Sequence, residues 1–150
     1  MRKPHKNPLL DNLKDGEAAF NPWVKVSPEG VTLITPHTDL GQGAASMQAA
    51  LLAAELDVDF GGVKISWGEP AAAYYNTVFG NEMAPYMSTD ESLEAEAMRT
   101  VFASIVKLMG VQGTGGSSSV PDSFDKLRMA GAVARETLKK PFALPPEPQL

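Results

Sequence analysis

The chain contains no cysteine. Disulfides, thiolate-bound zinc and an iron–sulfur cluster held by this chain are thereby excluded. Histidine is almost as scarce: His5 and His37 stand far apart with no helical or hairpin relation, so a self-contained histidine metal site is not expected. No apolar run approaches the length of a membrane span, and no basic-then-apolar leader opens the sequence. Charge of one sign is never concentrated. The 150 residues carry a net charge of −5 with a pI of about 5.0, which argues against a nucleic-acid surface. The short basic start, Arg2, Lys3 and Lys6, reads as part of a loose tail.

What is present suffices for one domain with a real core. Residues 1–20 are polar and interrupted by Pro4, Pro8 and Gly16, an irregular lead-in. Trp23–Val26 and Val31–Thr35 are β-prone runs joined by the turn-forming Ser27-Pro28-Glu29-Gly30, which predicts a hairpin. Ala44 to Leu56 consists mainly of strong helix formers, and its six alanines make a slim helix able to lie close to its neighbours. Val63, Ile65 and Trp67 alternate with polar residues as in a half-buried strand. Gly68 to Pro85 shows no period and reads as loop.

Ser88-Thr89-Asp90-Glu91 has the form of a capping box, and the helix after it places Leu93, Ala97, Val101, Ile105 and Leu108 on one face. A last helix follows Pro121, with Phe124, Leu127, Gly131, Ala134 and Leu138 as its buried stripe. Met83, Met87, Met98 and Met109 read as core filling. The order β-β-α-β-loop-α-turn-α makes the class α+β, with the hairpin and a further strand packed on about three helices and a Pro-rich tail over 141–150.

Two glycine clusters carry the chemistry. Gly41-Gln42-Gly43 sits where a strand hands over to a helix, where unpaired N–H groups and a partial positive charge make phosphate binding plausible at Gly43-Ala44-Ala45. The bland alternative is a turn with an exposed glutamine. Gly113-Thr114-Gly115-Gly116-Ser117-Ser118-Ser119 reads either as a flexible linker or as a nest of amide and hydroxyl donors before a helix. Neither cluster is a Walker loop or a dinucleotide GxGxxG. His37 and Asp39 could pair near the first turn, although solvated strand-end residues are the commoner outcome. Tyr74-Tyr75-Asn76 could line a cleft or merely pack the long loop.

Taken together, "VTLITPHTDLGQGAASMQAALLAAELDVDFGGVKISWG", "YYN" and "GTGGSSSVPDSFDKLRMAGAVARETL" resemble the large subunit of molybdenum hydroxylases, specifically the isoquinoline 1-oxidoreductase β-subunit type related to xanthine dehydrogenases and aldehyde oxidoreductases. The resemblance covers about residues 21–139 and implies a partial molybdopterin-binding domain over 21–140. It implies molybdopterin, in the cytosine dinucleotide form, as cofactor. It assigns Gly41, Gln42 and Gly43 to one wall of the site, and Thr114, Gly115, Gly116, Ser117 and Ser119 to another.

The activity implied is oxidation of an N-heterocycle or aldehyde with oxygen from water. The partners implied are the rest of the large subunit and a small [2Fe-2S] subunit, and this chain is not expected to catalyse alone. Residues 76–109 make the interval between the two motifs long and are expected to sit beside the site as a helical insertion. The leaderless start suggests the cytoplasm; the resemblance brings in the periplasm. Two other classes remain: a stand-alone nucleotide- or phosphate-binding module, and a cofactor-free interaction or remnant domain.

Overall fold

The computed structural model describes residues 5–140. The tail over 141–150 and the first four residues, with Arg2, Lys3 and Pro4, lie outside the described residues. Within them the class is α+β: four strands form one mixed sheet and four helices accompany it.

The strands are β1 (Ala18–Asn21), β2 (Val24–Ser27), β3 (Gly30–Ile34) and β4 (Lys64–Ser66), and they lie in that order across the sheet. The expected hairpin is β2–β3. It is antiparallel with Val24 opposite Leu33 and Ser27 opposite Gly30, which takes φ +123° at the turn. β4 runs parallel to β3, with Leu33 beside Ile65. Parallel neighbours require a long crossover, and helix α1 (Ala44–Leu56) is its main element.

α1 and α4 (Ser119–Lys139) pack together over the sheet, and the core is Val24, Leu33, Ala49, Leu52, Ala53, Leu56, Leu127, Ala130 and Ala134. Gly131 makes the close crossing possible, because a Cβ there would lie 2.7 Å from the Leu52 carbonyl oxygen. The expected stripe of α4 is thus right at Leu127, Gly131 and Ala134, whereas Phe124 and Leu138 are each 47 % exposed.

A second pair, α2 (Thr77–Glu82) and α3 (Leu93–Met109), packs beside this core. Several expectations need correction here. The segment read as loop contains a 3-10 turn at Ala72–Tyr74 as well as α2, and the lead-in contains a 3-10 turn at Pro8–Asp11 and β1. The capping box does not form. Ser92 caps α3 by accepting from the Ala95 amide at 3.3 Å, while Arg99 ties down the carbonyls of Asp90 and Met87.

α3 also turns its expected apolar face outward. Leu93 is 85 % exposed, with Val101, Ile105 and Leu108 near half, and the buried positions are Ala95 and Val106. Val106 lies against the bare α-carbon of Gly80, so the smallness of α2 selects which side of α3 docks. Met83, Met87 and Met109 are exposed rather than core filling.

Candidate functional site

Both glycine clusters are ordered bends, and a hydrogen bond from Thr38 to Thr114 links the loop of the first to the second. The first bend is organised by Asp39. Its carboxylate accepts from the Gly41 amide at 2.8 Å and from the Ala45 amide at 3.0 Å, and so closes the N-terminus of α1. The Ala45 amide first, then that of Gly41, holds this carboxyl below the usual aspartate range. Of the Gly43-Ala44-Ala45 amides expected to be open to a phosphate, that of Ala45 is occupied by this carboxylate. An anion from the same loop thus already sits beside the first turn of α1.

Gln42 is exposed but engaged: its Nε2 donates to the Thr38 carbonyl at 3.0 Å and its Oε1 accepts from the Leu40 amide. Gly41 and Gly43 have φ of +91° and +78°, and a Cβ at either would meet nothing within 4 Å. The backbone there is bare to an approaching group.

The second bend is not a flexible linker. Ser118 closes it by donating from its amide (3.0 Å) and its hydroxyl (2.6 Å) to the Gly115 carbonyl. The buried Asn76 side chain then donates to the Gly113 carbonyl and to Ser118 Oγ, both at 2.9 Å. Gly113 lies against the Phe79 ring, where a Cβ would come within 2.9 Å. Gly116 and Ser117 take left-handed φ of +55° and +56° at the exposed tip.

Thr38 joins the two bends. Its carbonyl accepts from Gln42, and its amide donates to Thr114 Oγ1 at 3.0 Å. Pro36 adds a second tie, its carbonyl accepting from Gln112 Nε2 at 2.5 Å. Gln42 and Thr114 thus belong to one chain of hydrogen bonds, with exposed Gly41–Gly43 on one bend and exposed Gly116 and Ser117 on the other. Ser119 differs: it is buried at the start of α4, and its carbonyl accepts from Ser123 Oγ at 2.6 Å.

Beneath this junction lies a polar cluster whose role the sequence did not disclose. His37 is 4 % exposed and meets Gln48 of α1 rather than Asp39. Gln48 Nε2 also donates to Ser123 Oγ of α4 at 2.6 Å. Asp122, likewise buried, accepts from the amide and hydroxyl of Thr77 and from Lys126 Nζ, which anchors the start of α2 on α4. Lys126 also donates to the Tyr75 carbonyl and sits 4.2 Å from the centre of that ring. Burial outweighs the Asp122 contact and lowers its ammonium pKa. Asn76 is therefore a structural hub, and Tyr74 packs in the core with its hydroxyl on the Pro22 carbonyl. A visible signal existed: Gln48 is a polar residue among apolar neighbours on α1, four positions from Leu52.

The chain is similar to isoquinoline 1-oxidoreductase subunit beta of Brevundimonas diminuta, with 30% identity over 119 residues. That match covers 79% of this chain and 12% of the relative, so the chain spans about an eighth of the length of the curated protein it matches. No family model matches, and no solved structure matches. Among the described residues no helix is long and apolar enough to cross a membrane. No group of three or more His, Asp or Glu side chains there could hold a metal ion.

Proposed function

We propose that this chain supplies one wall of the molybdopterin site in the large subunit of a molybdenum hydroxylase. The observation supporting the reading is the Thr38 joint, which links by hydrogen bonds two bends lying some seventy residues apart in the chain. Similarity to an oxidoreductase subunit over 79% of the chain supports it.

The donor set suits the neutral, hydrogen-bonding edge of a pterin better than a phosphate. Gly41 and Gly43 leave the backbone open to close approach, and Gln42 offers an amide that can exchange its loop partners for a ligand's. Thr114, Gly115, Gly116 and Ser117 would face the ligand from the other side, with the buried Ser119 supporting them from the start of α4. The one charge on the first bend is Asp39, which is spent on α1 and disfavours an anion there. The phosphate end of a dinucleotide form therefore belongs nearer the second bend. When bound, the molybdenum–pterin group supplies the oxygen-atom and electron transfer, while these residues bind and orient it.

In the assembled enzyme the substrate class is an N-heterocycle or aldehyde, oxidised with oxygen from water. A [2Fe-2S] partner subunit would take up the electrons, since this chain offers no thiolate to hold a cluster. The rest of the large subunit covers apolar side chains such as Trp67, Val101, Ile105 and Phe124, which are about half exposed. Half a site cannot exclude water, so the chain alone is inactive.

Acid extraction tests this reading on chain purified, with its associated subunits, from cells that make molybdenum cofactor. The expected product is a fluorescent pterin in near-equal amount to the chain. An ordinary nucleotide without pterin would mean a stand-alone nucleotide module. Neither product from an intact assembly would mean an interaction domain without cofactor.

A further inference from the structure

The His37 cluster is built as a hydrogen-bond relay with one reversible element. Gln48 Nε2 uses its two hydrogens on His37 Nδ1 and Ser123 Oγ, and Ser123 in turn donates to the Ser119 carbonyl. With the amide in this orientation Nδ1 is the acceptor and a neutral ring carries its proton on Nε2, which has no partner among the described residues. Gln48 Oε1 is likewise buried and unpaired. This amide orientation requires an unprotonated Nδ1 and therefore a neutral ring.

We propose that His37 is a proton-operated catch that holds the loop bearing Gly41–Gly43 against the start of α4 when neutral and loosens both bends when protonated. A proton from solvent arriving at Nδ1 would face the Gln48 N–H. The amide must then reverse, so that Oε1 accepts from Nδ1. Reversal removes the Nε2 donor from Ser123, whose hydroxyl turns to Oε1 and releases the Ser119 carbonyl. That carbonyl opens α4 directly after the second bend, so both bends feel one event.

The surroundings set the direction. From α4, Asp122 favours the imidazolium and Lys126 opposes it; Tyr74 and Tyr75 close another side, with Lys107 of α3 over the Tyr75 ring. Trp23 and Leu127 complete the lining of a cavity of about 10 Å3, at most the size of one water. Burial is the largest influence and holds the imidazole below its ordinary value of 6.5. The unfolded chain then binds the extra proton first. The part of the stability owed to this histidine is full above 6.5 and is lost as the pH falls below it, until the folded histidine itself protonates.

This inference does not depend on what the bends bind. Ring NMR of the full chain carrying His5→Gln, which leaves His37 as the one histidine, reads its midpoint directly. The expected midpoint is below 6.5, and the backbone amides of Gly41–Gly43 and Gly115–Ser118 should shift with that same midpoint. Gln48→Glu, which offers Nδ1 a permanent acceptor, should move the midpoint above 6.5; if that variant does not fold, the first titration decides alone. A midpoint at or above 6.5 in the His5→Gln chain overturns the proposal. So do amides in either bend that stay still through the His37 transition.

Discussion

Replacing Asp122 with alanine is expected to destabilise the fold by about 3–5 kcal/mol, the usual cost of removing one partner from a buried ion pair. Only 1% of the Asp122 side chain is exposed, against 21% for Lys126. The carboxylate accepts three hydrogen bonds, from the Thr77 amide at 2.7 Å, the Thr77 hydroxyl at 2.8 Å and Lys126 at 2.6 Å. Alanine would strand the ammonium in a half-apolar niche and leave the first amide of α2 without its acceptor. Because domains of this size are stable by about 5–15 kcal/mol, the loss should show as a large drop in the urea midpoint. Adding Lys126→Met should recover part of it, since the unpaired buried charge disappears with its partner. A cost of under about 1 kcal/mol for Asp122→Ala would mean the pair behaves like an exposed one.

Gly110→Ala should cost about 2–5 kcal/mol, from a left-handed backbone placement worth about 1–2 and overpacking worth about 1–3. Gly110 ends α3 at φ +67°, and an added methyl would fall 2.3 Å from Ala72 Cβ and 2.6 Å from Ala72 Cα. The segment it begins, through Val111 and Gly113, accepts the Asn76 hydrogen bonds that shape the second bend. Ala72→Gly in the same chain removes the Cβ overlap and leaves the backbone contact with the residue-72 Cα together with the dihedral strain. Thermal melts of the four combinations should therefore show partial rescue, and full rescue would assign the whole cost to the contact.

Local signals carried the parts of this fold that local chemistry determines. Gly43 and Asp57, both left-handed, bound α1 at the residues where the helix formers begin and end, and Ser27-Pro28-Glu29-Gly30 made the hairpin it promised. The misses are elements stabilised from far along the chain. α2 is only six residues long and starts where Asp122 and Asn76 hold it, and β1 is pinned by Asn21 donating to the Ala130 carbonyl, 109 residues away. Such partners leave no period to read.

α3 misled for a different reason. Its strongest apolar stripe has no partner among the described residues, and the stripe that docks, Ala95 and Val106, is chosen by the bareness of Gly80. The meeting of the two bends was expected only from resemblance. The Thr38 amide on Thr114 is a tertiary contact that neither motif announces. Asp39, passed over as a solvated strand-end residue, proved to be the group that closes α1.

Pterin retained per chain, measured after acid release from the assembled protein, tests the central claim most directly when wild type is set beside Gln42→Trp. Gln42 is exposed and bonds only within its own loop, so the indole should leave the melting curve nearly unchanged while placing a bulky ring on the first bend. The account predicts pterin reduced at least tenfold, which corresponds to about 1.4 kcal/mol or more of lost binding. Equal pterin in both proteins would contradict it and place the cofactor away from the Thr38 junction.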